Sequence, residues 1–320
     1  MAKLRPYRGD DLPDLAEAWN QTFLGTPNFV RVSETDFARR TVGQPSFDPG
    51  ALLVAARGSR IQGFVHFGPR TNLWSDPSGR RADPREGHIY AVVAAPSDPV
   101  LERDLLTTAV DGLAKAGARK ILLAPSWVYG TQPFYNGIAG AYEFPGLSPE
   151  RRNLLDLAAE TGFAPVAEYA TPQIDFAEGD HLETLHTLAG ELWRSARQWG
   201  LQVRRRALSS RFFPDRTLVE LVLDLETIAM TAFGPWPEYA REYGRRLFGL
   251  TNVQVAPRWR GKGLGKLIVI QAIEAAREAG ADGVHLHVWK DNRVAWDLYH
   301  RALGFRSRYT WVTLARTLPS

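Results

Sequence analysis

The chain runs through the same succession of elements twice, and an internal repeat constrains a fold more tightly than any local propensity. Residues 53–69 read as a β-hairpin with its turn near Gly58; residues 221–235 have the same outline and the same ending, Phe233-Gly234-Pro235 against Phe67-Gly68-Pro69. The apolar run 89–96, closed by Pro96, parallels a strand ending at Pro257, and each is followed by one helical stretch closing in Gly-Ala, at Gly117 and at Gly280. Residues 120–127 then parallel 283–289, and each half reaches a helix and Gly-Phe, at Gly162-Phe163 and Gly304-Phe305. The order strand, helices, hairpin, strand, helix, strand, helix, strand predicts a mixed α/β fold built twice, with helices packed on a mixed sheet. The boundary falls after Ile174-Asp175-Phe176, which divides the chain into 1–177 and 178–320; Gly179-Asp180 opens a helical pattern over 182–199.

The copies differ most where the central strand meets the next helix. In the second, Leu250-Thr251-Asn252-Val253-Gln254-Val255 alternates apolar and polar, and Ala256-Pro257 ends the ladder because proline has no N–H to donate. Then comes Arg260-Gly261-Lys262-Gly263-Leu264-Gly265, followed by a helix over 264–279 with Leu264, Leu267, Ile268, Ala272, Ala275 and Ala279 on one side. Glycines at alternate positions let backbone N–H groups approach an anion, and a helix N-terminus adds roughly half a positive charge. Arg258, Arg260, Lys262 and Lys266 supply mobile countercharge. A P-loop is excluded because Leu267, not Ser or Thr, follows Gly265-Lys266, and the even spacing of Gly261, Gly263 and Gly265 is not the dinucleotide fingerprint. The run reads as a pyrophosphate loop, the alternative being a solvated glycine-rich turn. At the matching place the first copy has Ser97-Asp98-Pro99-Val100-Leu101-Glu102-Arg103-Asp104, with no glycine and three carboxylates. It is therefore not expected to hold a pyrophosphate.

Arg260, Gly263 and Gly265 resemble the Arg/Gln-x-x-Gly-x-Gly/Ala acetyl-CoA signature of the GNAT acyltransferases, with that family's Val-x-Pro at Val255 and Pro257. Downstream, Asn292, Ala295 and Tyr299 resemble the family's Asn-x-x-Ala-x-x-x-Tyr, and Gly304-Phe305 its closing Gly-Phe. Four residues, His300 to Leu303, separate Tyr299 from Gly304, where family members more often have three. The repeat then resembles two tandem GNAT acyl-CoA N-acyltransferase domains, a degenerate one over 1–177 and a catalytic one over 178–320, a layout similar to that of mycothiol synthase. The resemblance implies acetyl-CoA as co-substrate, with Arg258, Arg260, Gly261, Lys262, Gly263, Leu264, Gly265 and Lys266 at the pyrophosphate. It implies the backbone of Val253 and Val255 along the pantetheine arm, one N–H facing the thioester oxygen. Asn292 would bond the arm or cap its helix. Tyr299 would donate to the departing sulfur, its ordinary pKa near 10 keeping it protonated, or be a core aromatic.

Acetyl transfer to an amine also needs a base. Thr251, Asn252 and Gln254 beside the thioester are none. His285 and His287 lie on the next alternating run, 284–288, on one face, and imidazole has a suitable pKa. The hairpin carboxylates Glu220, Asp224 and Glu226 are further candidates. The two histidines have metal-ligand spacing but no third ligand placed for it, so no metal is expected.

Zero cysteines exclude disulfides, thiolate metal sites and a cysteine nucleophile, and a formal charge of +4 over 320 residues is too modest to argue for nucleic acid. Arg204-Arg205-Arg206 point in different directions on any regular element and read as solvated. No window approaches the length of a membrane span and the N-terminus lacks the apolar core of a signal peptide, so a cytoplasmic chain with no membrane partner is expected. Residues 128–149 of the first copy insert Tyr129, Phe134, Tyr135, Tyr142 and Phe144, after Trp127, among glycines and prolines; this is a self-packed loop, a wall of an acceptor pocket, or both. Val269, Ile270 and Ile273 form a second apolar side on the helix after the glycine loop, to be covered by the other copy or by a second chain, which leaves monomer and homodimer open. The leading expectation is an N-acetyltransferase acting on a small-molecule amine. The alternative is a non-catalytic acyl-CoA-binding or regulatory protein.

Overall fold

Contacts divide the chain into two compact units, Met1–Tyr169 with Thr310–Ser320, and Ala170–Tyr309. The computed structural model describes residues 2–58, 60–69, 83, 85–96, 98–125, 134–177, 179–208 and 215–319. The first unit holds β1 (Lys3–Pro6), α1 (Leu12–Phe23), α2 (Glu34–Arg40), β2 (Leu52–Arg57), β3 (Arg60–Pro69), β4 (Glu86–Ala94), α3 (Pro99–Lys115), β5 (Lys120–Leu123) and α4 (Arg152–Glu160). Strand β6 (Ala164–Asp175) begins in it and ends in the second unit. The second unit continues with α5 (Gly179–Gln198), β7 (Gln202–Leu208), β8 (Arg216–Leu223), β9 (Glu226–Pro235), α6 (Pro237–Tyr243), β10 (Leu247–Val255), α7 (Leu264–Glu278), β11 (Gly283–His285), β12 (Val288–Trp289) and α8 (Arg293–Trp296). Strand β13 (Arg306–Thr317) starts there and returns its last residues to the first unit.

The strand order is β1-β2-β3-β4-β5-β13 in the first unit and β7-β8-β9-β10-β11-β6 in the second. Neighbours named in the register are antiparallel except β4 with β5 and β10 with β11, which are parallel. A parallel pair needs a crossover, and α3 and α7 supply it, one in each unit. The repeat of the sequence is thus a repeat of mixed α/β topology.

Both sides of α7 are buried. Leu267, Ile268 and Ala272 reach the core, and Val269, Ile270 and Ile273 are at most 2% exposed. The cover on the second side is α5 of the same unit, through Leu185, Ala189 and Ala196. The expectation of a second copy or second chain there is corrected: the 182–199 helix was already long enough to do it. In the first unit, residues 134–148 are buried throughout, with Tyr135 stacked on Trp19 at 4.7 Å and edge-on to Phe37. That stretch is core of its own unit; Trp127 and Tyr129 lie outside the described residues.

The alternating run 284–288 is not one strand. Strand β11 ends at His285, Leu286 N donates to Pro172 O at 3.1 Å, and β12 resumes at Val288. Pro172 of β6 has no N–H to return, so the ladder breaks opposite it. Among the described residues no helix is long and apolar enough to cross a membrane.

Candidate active site

Strand β10 pairs with β11 only from Leu247↔Gly283 to Gly249↔His285, and then runs on alone on that side to Val255. Against β9 its register shifts between Thr251 and Gln254, with Asn252 at φ 56°. Two residues, Asn252 and Val253, thus face one, Thr231, which is a β-bulge. Threonines clasp it: Thr231 Oγ1 donates to Thr251 O at 2.8 Å and Thr251 Oγ1 to Ala232 O at 3.3 Å. Sequence reading missed Thr231, because its role depends on a register shift that alternation does not reveal.

Beyond Val255 the glycine loop leads into α7. Gly263 is the N-cap of α7 in left-handed conformation, φ 78°, and a Cβ there would meet Leu192 Cδ2 at 2.7 Å. Gly265 needs no such exemption, since an added Cβ would make ordinary contacts of 3.7 and 3.8 Å. Among the described residues the N–H groups of Gly261, Lys262, Gly263, Leu264 and Gly265 have no hydrogen-bond partner. Open amides at a helix N-terminus fit a pyrophosphate.

The countercharge is less mobile than expected. Arg258 pairs with Glu226, Arg260 Nε donates to Val255 O at 3.2 Å, and Lys262 Nζ lies 4.6 Å over the Trp259 ring and 5.4 Å over Trp199. Lys266 alone of the four has no partner among the described residues.

The histidines are brought together, with rings 5.6 Å apart, but not as ordinary bases. His285 is fully buried, stacked 5.1 Å from Trp236, and neither ring nitrogen has a partner; burial pulls its pKa down to about 3. His287 shares a hydrogen bond of 3.0 Å between Nδ1 and Thr171 Oγ1, and burial, then the neighbouring His285, hold its pKa well below the imidazole range. The suitable pKa expected of both is corrected: both are neutral at pH 7 and weakly basic. Trp236 and Thr171 come from distant segments and carry no motif, so nothing in the sequence marked them.

Two of the three hairpin carboxylates, Glu220 and Glu226, are engaged elsewhere. Glu220 is buried; desolvation would raise its pKa, but hydrogen bonds from Arg204, Thr227 and Arg206 outweigh that and bring it to about 2, too weak for a base. Arg204 and Arg206, two residues apart on the same side of β7, thus share one carboxylate, while Arg205 reaches Glu278 at 2.5 Å; all three stay exposed. Glu226 is taken by Arg258, and Asp224 sits in the β8–β9 turn at φ 46°. Among the described residues no group of three metal-ligating side chains exists.

Tyr299 lies in a π-helical turn, Asp297–Ala302, that continues α8. The wider turn absorbs the additional residue between Tyr299 and Gly304: Leu303 N bonds to Leu298 O and Phe305 N to Tyr299 O. Its ring is 6% exposed and edge-on to Phe305 at 5.7 Å; burial raises its pKa, so the phenol keeps its proton. Asn292 caps α8, its Oδ1 accepting from Ala295 N at 3.2 Å.

Residues 182–305 match the acetyltransferase (GNAT) family. A tandem GNAT protein from the clavulanic acid biosynthesis pathway superposes over 100% of both chains with a TM-score of 0.64 at 14% identity. The GCN5-related glucosamine N-acetyltransferase region of a fungal multi-domain β-N-acetylglucosaminidase gives a TM-score of 0.68 at 15% identity, covering 98% of this chain and 38% of that one. The family match thus lies in the second unit, and over its whole length the chain shares the fold of a tandem two-domain GNAT protein. It is also similar to the mycothiol acetyltransferase of Gordonia bronchialis, 26% identical over 274 residues that span 80% of each protein, a distant likeness.

Proposed function

We propose that the protein is an acetyl-CoA-dependent N-acetyltransferase acting on the amine of a small molecule, with its chemistry in Ala170–Tyr309 and a first unit that is structural or shapes the substrate. The observation that carries this reading is the run of open amides at 261–265, directly after a bulged strand that has parted from its parallel neighbour. Bound acetyl-CoA would supply an activated acetyl thioester.

The amides of 261–265 and Lys266 hold the pyrophosphate. Arg258, Arg260 and Lys262 flank it, each already oriented by a protein partner. The free side of β10 offers its backbone, Val253 and Val255, to the pantetheine arm, and the bulge turns one N–H toward the thioester oxygen, where a preorganised donor lowers the barrier to attack. Tyr299, held protonated by burial, gives its proton to the departing sulfur. His287 accepts the amine's hydrogen: it is neutral, and Thr171 fixes its ring through Nδ1, leaving Nε2, buried and without a partner, as the nitrogen that can receive it. His285, sealed against Trp236, positions it. Asn292 starts the helix that carries Tyr299.

The low basicity of both histidines favours a second reading, an acyl-CoA-binding or regulatory protein without turnover. Thiol release from acetyl-CoA, followed across a panel of primary amines for wild type and Tyr299→Phe, separates the two. Amine-dependent release that falls in Tyr299→Phe supports the enzyme. Tight binding without release for any amine supports the second reading.

A further inference from the structure

The first unit repeats the second unit's parting strands and fills the gap from within. β4 and β5 run parallel from Glu86↔Lys120 to Ile89↔Leu123, then separate, Ala124 turning off at φ 49° while β4 continues to Ala94. This is the geometry of β10 and β11 beyond Gly249↔His285. The helix that follows also corresponds. In the second unit Asn292 caps α8, with Ala295 and Tyr299 at the third and seventh positions after it; in the first, Arg151 precedes α4, with Leu154 and Ala158 at those offsets. Ala158 has no proton to give a thiolate, so the acid is gone.

Arg151 does something that Asn292 does not. Its guanidinium is buried, and Nη2 donates to Val92 O at 3.1 Å, on the diverged stretch of β4, and to Glu102 Oε1 of α3 at 3.0 Å. The same group lies 5.1 Å over the Phe23 ring. The space left beside it, bounded by Tyr90, Val92, Leu123 and Phe144, is about 20 Å³, enough for one water. At the head of α3 the anion site is closed as well. Asp98 Oδ1 accepts from Val100 N at 3.0 Å and Leu101 N at 3.1 Å, Pro99 has no N–H, and Glu102 N bonds to Asp98 O.

We propose that Arg151 and Glu102 are the built-in occupant of the first unit's cofactor cleft, which makes this unit a copy that needs no acyl-CoA to keep its parted strands together. A strand carbonyl without a ladder partner requires a donor, and a buried guanidinium requires a counterion; the pair meets both demands and ties α3 and α4 to β4. The comparison rests on reading the second unit's gap as the acyl-CoA site.

Hydrogen exchange on the full chain, with and without acetyl-CoA, for wild type, Arg151→Met and the double variant Arg151→Met/Glu102→Leu tests it. In wild type, acetyl-CoA should protect 250–267 and leave 86–94 and 99–110 unchanged. Without ligand, Arg151→Met should speed exchange in 86–94 and 99–110 by at least on the order of tenfold, because Glu102 is left charged and buried, and the double variant should recover most of the protection. Protection of 86–94 by acetyl-CoA in wild type, or unchanged exchange in Arg151→Met, overturns the proposal. If acetyl-CoA protects no segment, the acetyltransferase reading fails while the Arg151→Met comparison still decides this one.

Discussion

Thr231 Oγ1 reaches Thr251 O at 2.8 Å across β9 and β10, at the point where the register of the two strands slips. The bond holds the bulge from the side opposite the parted strands, so it acts on the backbone N–H that would face the thioester without touching any ligand. Thr231→Val should lower kcat by about tenfold, the effect of losing one positioning hydrogen bond on a geometry-dependent step, and leave acetyl-CoA affinity within about twofold of wild type. Thr231→Ser should restore kcat. Equal losses of affinity and turnover would place the residue in binding instead.

The two helix-cap glycines should part company. Gly263→Ala puts a Cβ in a left-handed residue and against Leu192, which should cost about 1–2 kcal/mol of stability and weaken acetyl-CoA binding. Gly265→Ala meets only ordinary contacts and, as a first-turn helical residue, should keep both within error. Thermal denaturation and calorimetry on the pair check this.

His285 gives a pH signature to stability. Its pKa falls from the ordinary 6.5 to about 3 on folding, so the unfolded chain binds the extra proton between those values. The contribution of the neutral ring is therefore complete above pH 6.5 and is lost as pH drops toward 3, by on the order of a few kcal/mol. His66 of the first unit, also buried with a pKa near 3, acts in the same direction. Denaturant midpoints measured from pH 7.5 to 4 should fall steeply in wild type and less steeply in His285→Phe.

Tyr299→Phe keeps the ring that packs on Phe305 and removes only the hydroxyl. Melting temperature should hold within about 2 °C, while thiol release falls by on the order of a hundredfold, with the loss in kcat rather than KM. A Tyr299→Phe enzyme with undiminished turnover would assign the acid to another group.

What the sequence made readable was whatever depends on spacing. Gly261, Gly263 and Gly265 announce a turn with open backbone at the head of a helix, and the doubled order of hairpin, strand, helix and Gly-Phe announces the doubled topology. What stayed hidden depends on contacts between distant segments. Imidazoles at 285 and 287 look basic until Trp236 and the surrounding sheet desolvate them. Pro172, far off in sequence, cuts the run 284–288 in two, and the π turn around Tyr299 appears only as one surplus residue before Gly304. Arg151 carried no signal at all, since an arginine ahead of a helix is ordinarily a surface residue.

The most direct test of the account is calorimetric titration of acetyl-CoA into wild type and Gly263→Asp, which presses a Cβ on Leu192 and adds a negative charge at the head of α7, beside the open amides. One equivalent bound per chain by wild type, and none by the variant, is the predicted result. No binding to wild type, or one equivalent still bound by Gly263→Asp, would contradict it.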